Sequence, residues 1–195
     1  MKKKIVLATG NKGKLKEFRE MLTDFDVVTP HDLGIDFDVE ETGETFYDNA
    51  LIKARALYEL CGKPTLADDS GLCVNALGGG PGVYSARYSG GGDKANNAKL
   101  LTELDGKADR TAYFESCIVY CDGVEILSAT GRVYGKISFE PIGDNGFGYD
   151  PLFIPDELDG RTFGQASAEE KNSISHRSRA LAALNDILSD KFGGR

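Results

Sequence analysis

The chain is poor in cysteine and histidine, has no long apolar run, and holds fewer basic than acidic residues. Its four cysteines, Cys61, Cys73, Cys117 and Cys121, form no paired C-x-x-C framework, and only two histidines are present to join them. That spacing argues against a zinc module and a disulfide-stapled miniprotein; reduced thiols in a cytoplasmic protein are the expectation. The start, MKKKIVLATG, is basic and then apolar for only about four residues, too short for a signal h-region, and no later stretch approaches a membrane span. Against 31 Asp and Glu there are 23 Lys and Arg, a net charge of −8. Such a surface disfavours nonspecific nucleic-acid and anionic-membrane binding, so neither nucleic acid nor membrane is an expected partner. A small phosphorylated ligand stays open.

What the chain does have is 195 residues, 41% of them hydrophobic, which is core enough for one domain over residues 1–195. No repeat or Ser/Pro linker divides it. Lys4 to Ala8 reads as a buried strand, and Leu15, Phe18, Leu22 and Phe25 place a helix over residues 13–24. From Thr45, with Asp48 as an approximate capping box, Tyr47, Ala50, Leu51, Ala54, Leu57, Tyr58 and Cys61 trace a second helix. Asn49 and Lys53 share another face of it. Residues 111–121 and 124–135, joined by Asp122-Gly123, read as a long β-hairpin with a two-residue turn. Ser167 with Glu170 starts a helical turn, and Leu181, Leu184, Ile187 and Leu188 mark a final helix. The predicted class is α/β: a mixed sheet flanked by helices, with an extended β-hairpin.

Five segments carry candidate chemistry, and each has a plain alternative. Thr9-Gly10-Asn11-Lys12-Gly13-Lys14 lies between strand and helix, where N–H groups and the helix dipole favour a phosphate. Gly10 and Gly13 are three apart and Leu15 follows Lys14, so it is no Walker A loop. A strand-to-helix turn with solvated lysines accounts for the same residues. Asp68-Asp69-Ser70-Gly71 interrupts apolar flanks, either as capping chemistry in a turn or as hard oxygen ligands for Mg²⁺. The run from Glu40 to Glu44 offers a further ligand, Glu41, or is a solvated acidic loop. In Gly146-Phe147-Gly148-Tyr149-Asp150-Pro151, the glycines let a flat ligand approach the aromatics, or the segment is an aromatic turn under the core. Glu170-Lys171 to Ser175-His176-Arg177 sets a cluster of donors ahead of an apolar helix, or is solvated charge.

Taken together, these segments resemble the Ham1-type inosine/xanthosine triphosphate pyrophosphatases. The ordered set is T-G-N-x-x-K at Thr9 to Lys14, E-T-G-x-T-F at Glu41 to Phe46, N-A-x-x-K-A at Asn49 to Ala54 and A-D-D-S-G-L at Ala67 to Leu72. It continues with P-G-x-Y-S-A-R at Pro81 to Arg87, F-G-Y-D-P at Phe147 to Pro151 and E-K-x-x-x-S-H-R at Glu170 to Arg177. Asp48 stands where that family often has Glu, and Asn145 where Gly is common. The resemblance implies two lobes around a central cleft, a homodimer, and magnesium-dependent cleavage of non-canonical purine nucleoside triphosphates to monophosphate and pyrophosphate. By the same resemblance Asn11, Lys14 and Lys53 hold the triphosphate, within a substrate loop running through Thr9, Gly10, Lys12 and Gly13. Asp69 with Glu41, joined by Asp68, holds Mg²⁺ and activates water, Asp69 being the base. Phe147, in the Phe147-Gly148-Tyr149-Asp150 segment, stacks on the purine. Lys171, His176 and Arg177 donate to its 6-oxo group, with Ser70 and Asp150 near the base. Canonical or pyrimidine triphosphates are a rival substrate, and a binding module without turnover is a rival class that has no need of the Asp68-Asp69 pair.

Overall fold

A computed structural model describes residues 2–192; residue 1 and residues 193–195 of the expected domain lie outside the described residues. The expected mixed sheet is present. Its six strands run in the order β2-β1-β3-β4-β5-β6. Strand β1 (Lys3–Ala8) pairs in parallel with β2 (Phe25–Val28) and with β3 (Thr65–Val74). The hairpin strands β4 (Thr111–Cys121) and β5 (Ile126–Ile137) follow, and β6 (Phe153–Pro155) pairs antiparallel with β5.

Helix α1 spans Lys12–Met21, ending earlier than the expected residue 24. Leu22 is its C-cap, and Phe25 is already in β2, so the apolar spacing that suggested one helix combines a helix, its cap and a strand. Helix α2 (Phe46–Cys61) matches its pattern, and Thr45 and Asp48 complete both halves of the capping box. The remaining helices are α3 (Asp93–Glu103), α4 (Ala168–Ile174) and α5 (His176–Phe192). The hairpin connection is longer than the expected two residues. The Asp122 carboxylate accepts from the N–H groups of Val124 and Glu125, holding both out of the strand, so β5 begins at Ile126 instead of residue 124.

The chain divides into two compact units, and β3 passes from one to the other between Asp69 and Ser70. The first comprises the chain up to Asp69, residues 116–130 and the chain from Arg179. Its core gathers Ile5, Leu7, Phe18, Val27, Leu66, Ile118 and Leu184. The second comprises residues 70–115 and 131–178, and packs Leu72, Val74, Leu100, Phe114, Val133, Phe153 and Phe163. Phe114 meets Phe153 edge-on with ring centroids 4.7 Å apart. All four cysteines are free thiols, as the spacing predicts. Among the described residues no helix is long and apolar enough to cross a membrane.

Candidate active site

The site residues of the first unit are set by β3 and the helices beside it. Asp68 and Asp69 do not form the turn that Asp-Asp-Ser-Gly chemistry suggests; they lie within a continuous strand, buried at nearly every position. Tertiary context overrides the low strand propensity of aspartate here. Because successive strand residues point to opposite faces, the two carboxylates serve different partners. Asp68 meets the Lys14 ammonium at 2.7 Å and accepts a hydrogen bond from Ser116. Asp69 accepts from Asn49 Nδ2 at 3.1 Å and lies 3.5 Å from Lys53 Nζ. Lys53 also meets Glu41 Oε1 at 2.6 Å and donates to the Asp68 carbonyl at 2.8 Å. Glu41 is therefore not part of a wholly solvated loop; its carboxylate converges with that of Asp69 on one ammonium.

These contacts follow from local structure. Asn49 and Lys53 are one helical turn apart on α2, which aims both at β3. Asn49 Oδ1 in turn accepts from the Gly43 N–H at 2.8 Å, and a Cβ at Gly43 would lie 2.7 Å from that oxygen, so only glycine lets the acidic loop approach so closely. Burial, with Glu41 nearby, holds the Asp69 carboxyl above the ordinary aspartate range even against the attraction of Lys53 and Lys14. The same carboxylates keep Lys53 above its usual value, although burial opposes them. Of the loop residues, Asn11 caps α1: its Oδ1 accepts from the Lys14 N–H at 3.0 Å, and its own N–H donates to Thr9 Oγ1 at 3.1 Å. Gly10 and Lys12 are exposed and Gly13 half-buried around that cap, with no acidic residue in the first turn of α1.

The second unit gathers the remaining predicted residues. Asp150 Oδ2 accepts from the Phe147 N–H at 2.8 Å and from Lys171 Nζ at 2.6 Å. Lys171 sits 4.6 Å from the centre of the Phe147 ring and Arg177 5.9 Å from it. Arg177 also donates to Ser70 Oγ at 2.9 Å, and His176 stacks on Phe114 with centroids 4.8 Å apart. Lys171, His176 and Arg177 are buried, so the reading of this segment as solvated charge does not hold. The capping box of Ser167 and Glu170 ends the approach to α4 and turns Lys171 inward. Tyr149 is buried and donates to the Ser85 carbonyl at 2.8 Å, a core role instead of an exposed aromatic one.

Glycine is required at position 146, where φ is +76° and a Cβ would lie 2.0 Å from Asp150 Oδ2. Gly146→Ala is expected to push Asp150 off the Phe147 N–H and Lys171. The variant's thermal midpoint should fall below that of the wild type, measured by thermal unfolding.

Asn49 and Ser116 are site residues that the candidate set lacks. Asn49 stands out in the sequence as a polar group one helical turn from Lys53, on a face apart from the apolar stripe of α2. Ser116 is a lone hydroxyl between Phe114 and Ile118 at alternating positions of β4, and only its partner Asp68 reveals its purpose.

A sequence profile of the Ham1 family matches residues 5–187. The chain belongs to the Ham1 family. Its relatives include a dITP/XTP pyrophosphatase of Haemophilus influenzae, 52% identical over 198 residues, covering 96% of this chain and 100% of the relative. Another, from Treponema denticola, is 47% identical over 191 residues, covering 95% of this chain and 98% of that one. Among solved structures, the Staphylococcus aureus Ham1 protein superposes with a TM-score of 0.86 at 43% identity, covering 97% of this chain and 100% of that one. All seven motifs of the Ham1 resemblance lie within residues 5–187, the part that the family profile matches.

Proposed function

We propose that this Ham1-family chain hydrolyses non-canonical purine nucleoside triphosphates, dITP and XTP among them, to the monophosphate and pyrophosphate. The observation that carries this reading is the Asp69 carboxylate set between Lys53 and Asn49, with Glu41 on the same ammonium. Half-buried lysines and carboxylates held in register, with no acid in the first turn of α1, suit a triphosphate and an attacking water.

In this reading Lys14, Lys53 and the N-terminal turn of α1 around Asn11 bind the phosphates, their donors matching anionic oxygens. Asp69, whose burial raises its proton affinity, takes the proton from water as that water attacks the α-phosphorus and the bridging oxygen leaves with pyrophosphate. Asn49 fixes the carboxylate's orientation through the bond to its Oδ2. Asp68, engaged by Lys14 and Ser116 on the other face of the strand, holds Lys14 at the phosphates and is not a ligand in the same shell as Asp69. Among the described residues no three His, Cys, Asp or Glu side chains cluster as a closed metal cage. Mg²⁺ does not need one: it binds through one or two carboxylates plus waters and substrate phosphates. Glu41 and Asp69 converge on one cationic position and fit that requirement. Bound there, Mg²⁺ would neutralise developing phosphate charge and lower the pKa of a coordinated water.

Base choice falls to the second cluster. Phe147 offers a ring for the purine, and Lys171, His176 and Arg177 offer buried donors to the 6-oxo acceptor. Adenine places a donor there, and two donors facing each other cost about 1–3 kcal/mol per unpaired group. A homodimer in the cytoplasm completes the reading, as the family resemblance suggests.

The test is a panel of dITP, XTP, dUTP and ATP, assayed with magnesium and with chelator. Turnover of dITP and XTP to pyrophosphate, not orthophosphate, lost in chelator, is expected. A preference for ATP would overturn the base argument.

A further inference from the structure

Helix α3 has no part in the chemistry above, yet two of its side chains hold the loop that carries Phe147. Asp93 Oδ2 accepts from the Gly148 N–H at 2.8 Å, and Asn97 Nδ2 donates to the Gly148 carbonyl at 3.1 Å. The two residues are four apart on one helix, so a single helical turn grips both polar groups of one residue. Gly148 lies at φ +62° and has no side chain to anchor it, so the direction of its two peptides is set by what its N–H and carbonyl meet. On its N-terminal side, Asp150 holds the Phe147 N–H. The Phe147 N–H is thereby held from within the loop, and the Gly148 N–H and carbonyl from helix α3.

Asn97 is not the residue that packing alone would select. It is buried, and its Oδ1 has no hydrogen-bond partner among the described residues. A buried amide oxygen left unmatched opposes folding, whereas leucine would fill similar space without that cost. The bond to Gly148 is the return on placing an amide there.

We propose that Asp93 and Asn97 are positioning residues for base recognition, clamping Gly148 so that the Phe147 ring is held at one angle and height for the purine. This rests on the reading that Phe147 stacks on the base. A ring free to tilt would still meet the purine, but the 6-oxo group would no longer align with fixed donors, and displacement by about an ångström is enough to matter.

The test measures kcat and KM for dITP and ATP in the full-length protein and in Asn97→Leu, Asp93→Ala, Asp93→Asn and Phe147→Ala. Thermal midpoints and inhibition by inorganic tripolyphosphate, which has no base, are measured alongside. Asn97→Leu and Asp93→Ala should raise KM for dITP on the order of ten-fold and narrow the dITP-to-ATP ratio, with kcat changed only a few-fold. Tripolyphosphate inhibition should be unchanged, and Asn97→Leu should not lower the midpoint. Asp93→Asn keeps an acceptor and should restore most of the KM. If both clamp variants keep the wild-type KM and ratio while Phe147→Ala loses them, the clamp is refuted and the stacking reading stands. If Phe147→Ala also behaves as wild type, the stacking reading itself fails. Weakened tripolyphosphate inhibition in the clamp variants would mean general damage and would overturn the proposal.

Discussion

Asp69→Asn is expected to lower kcat by at least about a thousand-fold while nucleotide affinity stays within a few-fold, a loss in the range that removal of a general base produces. The geometry favours a clean experiment. Asparagine has the size of aspartate, and its oxygen can still accept from Asn49 Nδ2 or Lys53 Nζ. What disappears is the proton acceptor and one anionic oxygen facing the position shared with Glu41. Stability should move the other way. The folded chain raises the Asp69 pKa, so the ionised carboxylate costs stability once pH rises through the ordinary aspartate range, and below that range the cost is absent. Measured in chelator, the variant's thermal midpoint should equal or exceed that of the wild type at neutral pH, and the difference should close as the solution is acidified. Turnover that collapses in a protein no less stable cannot be blamed on unfolding. If affinity and midpoint fall together instead, Asp69 is a structural residue and the catalytic assignment is wrong.

The parts of this molecule that could be read in its sequence are those set by local rules. The helix over Phe46–Cys61 announces itself because a capping box and a helical apolar stripe agree. Strand β2 is hidden because Leu22 and Phe25 happen to continue the spacing of α1, although one caps the helix and the other opens the next strand. Strand β3 is hidden for a different reason. Asp68 and Asp69 are poor strand formers, and only Lys14, Lys53, Asn49 and Ser116, from separate segments, make their burial tolerable. The same holds for the site. Lys53 and Asn49 could be paired from their spacing, whereas the division of labour between Asp68 and Asp69 follows from the alternation of a strand that the turn-like sequence disguises. Lys171 and Arg177 look like surface charges until Asp150, Ser70 and Phe147 are placed beside them.

Lys171→Met should lower both stability and base selectivity, for two reasons that one further variant separates. Lys171 and Asp150 meet at 2.6 Å with side chains only 6% and 3% exposed. Removing the ammonium takes its counter-charge from a buried carboxylate, which costs about 3–5 kcal/mol. For a chain of this size that corresponds to a fall in Tm of roughly 6–20 °C. Methionine keeps the stem that lies against the Phe147 and Phe163 rings, so the loss is chiefly one of charge and not of packing. Base choice should suffer as well if Lys171 donates to the 6-oxo group as proposed; the dITP-to-ATP ratio should then drop by about ten-fold or more. Adding Asp150→Asn to Lys171→Met removes the buried charge while leaving an oxygen to accept from the Phe147 N–H. The double variant should recover most of the Tm and little of the selectivity. Recovery of both would mean that Lys171 acts on the base only by neutralising Asp150, and recovery of neither would mean that the pair's worth lies in the shape of the loop it ties down.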